Sequence, residues 1–166
     1  MRILPLILLG FVAIGLQRGL DALMTVGTAQ ADLVMIVAAF AATCLPKAAG
    51  GAIAAGLLGL AYDLSGAGPV GLYAASLGLG GLAAGSLQAN RWPRLLAAML
   101  AGIAVSAVLV WLLSALRGAV GSDPAPPRMT FGGMAGTILL TGLLAAPLSA
   151  PLWKWRRYFV IEQPRF

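Results

Sequence analysis

Apolar residues along this chain do not alternate with polar ones; they come in blocks, each closed by a short polar or turn-forming stretch. Six blocks can be marked: residues 3–16, reaching 26 if Arg18 and Asp21 pair one turn apart, then 33–45, 48–64, 70–87, 95–116 and 131–152. Pro46-Lys47 stops the second block, and Ser65-Gly66-Ala67-Gly68-Pro69 separates the third from the fourth. Residues 118–129 (GAVGSDPAPPRM) are the one extended polar connection, and their prolines favour an extended path. A helix needs roughly 20 apolar residues to cross a bilayer, so the blocks predict about six short transmembrane helices. The second and third are short for that task. There the bilayer thins, the helix ends fray, or the two form one re-entrant hairpin.

Inside the blocks, small residues recur every four positions and so share one helix face. Gly51, Ala55, Gly59 and Asp63 form the longest ladder; Gly81 and Gly85, then Ala98, Gly102 and Ser106, then Gly132 and Gly136 repeat the pattern. Lipid tails are as apolar as leucine, so close backbone packing and interhelical hydrogen bonds must hold such helices together. The ladders are therefore the expected helix contacts.

Composition sharpens the class. Of 166 residues, 60% are hydrophobic and 10% charged, against about half and a quarter in a soluble domain. The expected fold is an all-α integral membrane protein, one polytopic domain over residues 1–166, with no stretch long enough to build a core outside the bilayer. The net charge of +6 would suggest nucleic acid in a soluble protein; here it marks cytoplasmic loops. With the N-terminus inside, Arg2, Lys47, Arg91, Arg94, Lys154, Arg156, Arg157 and Arg165 face the cytoplasm, and only Arg18, Arg117 and Arg128 face out. Both termini are thus expected in the cytoplasm, with Trp92, Trp153 and Trp155 as an inner aromatic belt. Lys154, Arg156 and Arg157 are expected to anchor the last helix to anionic lipid, at about 1 kcal/mol per charge. The N-terminus imitates a secretory signal ending at Ala29-Gln30-Ala31. Gln17, Arg18 and Asp21 intervene, so the segment reads as a retained first helix.

Candidate chemistry is sparse. The chain has no His and a single Cys44, set in an apolar run where a thiol packs inertly. No serine has a base to activate it, and Gly78-Leu79-Gly80 follows no strand, which argues against a nucleotide fold. The expectation is no enzyme, no cofactor and no metal. Asp63 stands apart, because a carboxylate deep in hydrocarbon costs several kcal/mol unless paired or wet. The topology moves it to the outer end of the third helix. There it can cap the N–H groups of residues 64–68 and fix the hairpin to the next helix, which Pro69 opens. Contact with a partner, and a proton or substrate role, are the alternatives.

The same hairpin carries a resemblance. Gly56 and Gly59 in an apolar helix, Asp63, seven residues, then Gly71-Leu72-Tyr73-Ala74 resemble the signature of MreD, the small polytopic rod shape-determining protein of bacteria. Pro46 before the third helix is similar as well, as is a sixth helix ending in Pro147 and a basic cluster. The chain is richer in Gly and Ala, and poorer in aromatic residues, than many relatives. The resemblance implies a non-enzymatic scaffold of the elongation machinery in the bacterial inner membrane. Its main partner would be MreC, with RodA, a class-B penicillin-binding protein and MreB filaments as further partners, and self-association left open. It also implies an architecture similar to the substrate-binding subunits of energy-coupling factor transporters. Expected partner-contact or hairpin-defining residues are Asp63, Gly66, Pro69, Gly71 and Tyr73, with Arg18 and Asp21. The alternative is a small-molecule-binding transporter subunit, in which Gln17, Arg18, Asp21, Asp32 and Asp63 would converge at one end.

Overall fold

The computed structural model describes residues 4–66, 70–87, 90–120 and 130–159, apart from the side chains of Val120, Arg157 and Phe159. Pro69 and most of the 118–129 connection therefore lie outside the described residues. Six helices and one small hairpin are present: α1 Leu4–Met24, β1 Thr25–Val26, β2 Ala29–Gln30, α2 Leu33–Cys44, α3 Ala48–Leu64, α4 Leu72–Ser86, α5 Trp92–Val120 and α6 Phe131–Phe159.

Three stretches are long and apolar enough to cross a membrane: Leu4–Met24, Trp92–Ala119 and Phe131–Arg156. This is a membrane protein by that measure. At 1.5 Å per residue, the 29 residues of α5 and of α6 each reach about 43 Å, more than the ~30 Å of hydrocarbon. The 12 residues of α2 reach only about 18 Å. Its surroundings explain how so short a helix can be so apolar. Every residue from Val34 to Cys44 is buried, so protein rather than lipid sheathes α2 on all sides.

The most extensive helix contact joins α3 to α4, followed by α4 with α5, while α2 packs on α3, α4, α5 and α1. Small residues set these distances. A Cβ on Gly81 would come within 2.5 Å of the Ala55 Cβ and 2.9 Å of the Gly51 carbonyl. One on Gly51 would meet the Ala42 carbonyl at 2.9 Å, and one on Gly59 would overlap the Tyr73 carbonyl. One on Gly85 would lie 3.1 Å from the Ala48 Cα. Gly80, which no ladder included, lies against Ser106 and the Gly102 carbonyl of α5.

Several boundaries, and one packing expectation, differ from the sequence reading. The first block ends in neither simple way: α1 stops at Met24, and the chain turns through a hairpin pairing Thr25 with Gln30 and Val26 with Ala29. Gly27, at φ +63°, takes the first of the two turn positions, where a tight hairpin asks for glycine. α5 begins at Trp92 rather than 95. α6 does not end near residue 152 but continues, past Pro147 and Pro151, to Phe159. Each proline removes one backbone donor, a loss that an apolar helix packed among others tolerates; Ser149, between the two, donates to the Ala146 carbonyl at 2.7 Å. Finally, among the described residues a Cβ on Gly132 would meet only the Thr130 hydroxyl, at 3.9 Å. Its neighbour Gly133 and Gly136 take the packing role instead, against Thr28 and Ala29 of the hairpin.

Candidate functional site

Asp63 closes α3, and its side chain reaches the start of the next helix rather than its own turn. Oδ2 accepts the N–H groups of Gly71 (2.9 Å) and Ala74 (3.1 Å), and Oδ1 accepts that of Tyr73 (3.2 Å). Of the expected bonds to residues 64–68, those to 64–66 do not form, since the Gly66 N–H goes to the Asp63 backbone carbonyl at 3.2 Å, and residues 67 and 68 lie outside the described residues. The choice of donors has a plain cause. The first N–H groups of a helix have no partner within it, and a carboxylate meets both their hydrogens and the positive end of the helix dipole. Gly71 makes the geometry accessible. It stands at φ +98°, left-handed backbone that other residues enter at a cost.

Arg18 of α1 does not pair with Asp21. Its guanidinium lies 4.3 Å from the centroid of the Tyr62 ring, and Nη2 donates to the Tyr62 carbonyl at 3.3 Å. A cation at the last carbonyls of α3 is well placed with respect to the helix dipole. Gly66 lies directly under that guanidinium, so any side chain there would collide with it. The Tyr62 and Tyr73 rings sit 4.6 Å apart, which ties α3 to α4 a second time.

Asp21 instead accepts from the carboxamides of Gln17 (3.0 Å) and Gln30 (2.8 Å). Gln17 is fully buried, and every polar atom of its side chain is used: Nε2 also donates to the Ala31 carbonyl, and Oε1 accepts from Leu33 N–H. Across the chain, Thr137 and Thr141 of α6 accept the N–H groups of Gln30 (3.1 Å) and Asp32 (3.0 Å). The match is geometric. Two residues of extended chain and four of helix both advance about 6–7 Å, so alternate N–H groups meet hydroxyls one turn apart. Asp32 caps α2 by accepting Met35 N–H at 3.0 Å. It is 4% exposed, and burial pushes its carboxyl up to about 6 against hydrogen bonds from Met35, Val34 and the Tyr73 hydroxyl; the Asp21 charge adds to the rise.

No family model, curated protein or solved structure matches the chain. The site is therefore read from its own chemistry. Of the sequence candidates, Asp63, Gly66, Gly71, Tyr73, Arg18 and Asp21 gather at one end with Gln17 and Asp32, and Pro69 lies outside the described residues. Tyr62, Gln30, Thr137 and Thr141 join them unforeseen, because hydroxyls and amides in apolar helices carry no signal until a partner is known. An open groove of about 460 Å³ runs beside the hairpin, lined by Val70, Gly71, Leu72, Ala75, Leu113, Leu116 and Arg117. Among the described residues no group of three or more His, Cys, Asp or Glu could hold a metal.

The opposite end is basic. Lys154 is exposed, whereas Arg156 turns inward, donating to the Thr43 carbonyl at 3.0 Å and lying 5.4 Å from the Trp153 ring. Its reach to α2 shows that it has a contact within the protein besides any lipid contact. Arg157's side chain is outside the described residues. Trp92 donates to Ser149 at 3.1 Å, which pins the start of α5 to α6.

Proposed function

We propose that this protein is a non-enzymatic membrane scaffold of the MreD kind, in the bacterial inner membrane. In this reading α1, α5 and α6 span the bilayer, the shorter helices pack among them, and both termini lie in the cytoplasm. It binds MreC and helps couple MreB filaments to RodA and a class-B penicillin-binding protein during lateral wall synthesis. One observation carries the reading: the N–H groups that Asp63 holds belong to Gly71, Tyr73 and Ala74, three residues within the family-like signature. Spacing and hydrogen bonding thus describe one device, a locked α3–α4 hairpin. The polar groups around it hold backbone and one another, which fixes the shape that the hairpin would present to a partner.

Co-expression with an MreC-like single-pass protein encoded beside this chain tests the proposal. The two are expected to leave a gel-filtration column together, and Gly66→Leu, which displaces Arg18, is expected to weaken the complex. Separate elution with a small molecule retained on this chain would overturn it in favour of a second reading. That reading, a small-molecule-binding subunit of an energy-coupling factor type transporter, is favoured by the convergence of Gln17, Arg18, Asp21 and Asp32 at one end.

A further inference from the structure

Helices α4 and α5 touch at one level and part at another. A Cβ on Gly80 would meet Ser106 and the Gly102 carbonyl, so the two backbones lie close there. Toward the Asp63 end the helices separate, and the open groove of about 460 Å³ lies between them. Small-molecule sites are of that order, roughly 300–1,000 Å³. Val70, Leu72 and Ala75 form one wall, and Leu113 and Leu116 of α5 form the other. Hydrogen bonds within the protein occupy the backbone of the first wall. The Gly71 N–H goes to Asp63, the Gly71 carbonyl accepts the Ala75 N–H at 3.0 Å, and the Leu72 carbonyl accepts the Ser76 hydroxyl at 2.8 Å. Such a wall suits a hydrocarbon chain, which can satisfy no polar group. Val70 and Leu116 are more than half exposed, so the bundle leaves this apolar surface uncovered.

A cation stands at the mouth of the groove. Arg117 is exposed, lies in the last turn of α5, and makes no hydrogen bond or ion pair among the described residues. No residue lining the groove is acidic. By helix rise Arg117 stands about 4–5 Å from the end of α5, a helix that outruns the hydrocarbon by about 13 Å shared between its two ends. That places the guanidinium at headgroup depth, with Leu113 about 6 Å deeper. The order of the groove, apolar below and cationic above, complements a phospholipid with its chain below and its phosphate above. A guanidinium meets a phosphate through paired N–H donors.

We propose that this groove binds one anionic phospholipid, with an acyl chain between α4 and α5 and the headgroup phosphate on Arg117. Charge complementarity selects this occupant, because an apolar partner helix would fill the walls and leave the cation unanswered. The site does not depend on the scaffold reading.

Photo-cross-linking of the full chain in bilayers tests it, using phosphatidylglycerol with a photoactivatable group on its acyl chain. Cross-links are expected on residues 70–75 and 113–117. They should be about fivefold stronger than from a phosphatidylcholine carrying the same group, the effect of one basic residue at an anionic surface. Arg117→Gln should lower the phosphatidylglycerol signal there to the phosphatidylcholine level and leave labelling beside Lys154 unchanged. Ala75→Leu fills the groove from an exposed position and should reduce labelling by either lipid. Equal labelling by the two lipids, or groove labelling that Arg117→Gln leaves untouched, would overturn the proposal. So would groove labelling that disappears on co-expression with a protein partner, since the face would then belong to that partner. If Arg117→Gln does not fold, the comparison of the two lipids on the wild-type chain decides.

Discussion

Asp63 accepts hydrogen bonds on both oxygens, and that ranks its variants. Alanine leaves three donors at the head of α4 without a partner, at an expected loss of about 3 kcal/mol, since one hydrogen bond to a charged group contributes about 1.5–3. Asparagine keeps one oxygen but turns an NH2 toward a backbone N–H. The order of melting points in detergent should be wild type, Asp63→Asn, Asp63→Ala; equal Asn and Ala values would mean that the charge matters more than the acceptor count. The importance of Asp63 was legible in the sequence as a lone acid ending a ladder. Its donors were not, because they stand 8 to 11 residues further on and are reached only through the left-handed turn at Gly71. Arg18 and Asp21 do not pair because each finds another partner: Arg18 the Tyr62 carbonyl, 44 residues on, and Asp21 the carboxamides of Gln17 and, across the β-hairpin, Gln30.

At the scale of elements, the small-residue ladders divide into those that touch and those that do not. Gly59→Ala sets a methyl group against the Tyr73 carbonyl and should part α3 from α4, costing about 1–3 kcal/mol. Gly132→Ala meets only the Thr130 hydroxyl at 3.9 Å and should change stability by less than about 0.5 kcal/mol. Denaturant titration of the two variants side by side checks the contrast. Period-four spacing is identical in both ladders, so the sequence could not tell them apart. A third change probes the basic end. Arg156→Ala removes the donor at the Thr43 carbonyl and should cost about 1–2 kcal/mol, seen as a lower melting point. Arg156→Lys should recover part of that loss if charge at the end of α2 is what counts.

For the whole molecule, orientation is the quantity to measure. The excess of Lys and Arg at one end predicts that reporters fused at either terminus are active only in the cytoplasm. A periplasmic signal from either would reverse the assignment of ends. The sequence by itself determined the membrane class, the approximate helix count and the lone acid, because apolarity and block length are local properties of the chain. Tertiary structure decided the rest. It made α2 an interior helix rather than a lipid-facing one, since burial depends on neighbours and not on its own apolar residues. It carried α6 through two prolines and turned Arg156 toward α2. It also gathered Gln17, Asp21, Gln30, Asp32, Thr137 and Thr141 into one network, because each buried N–H and carboxyl must find a partner, and Thr137 and Thr141 lie more than a hundred residues from the N–H groups they accept.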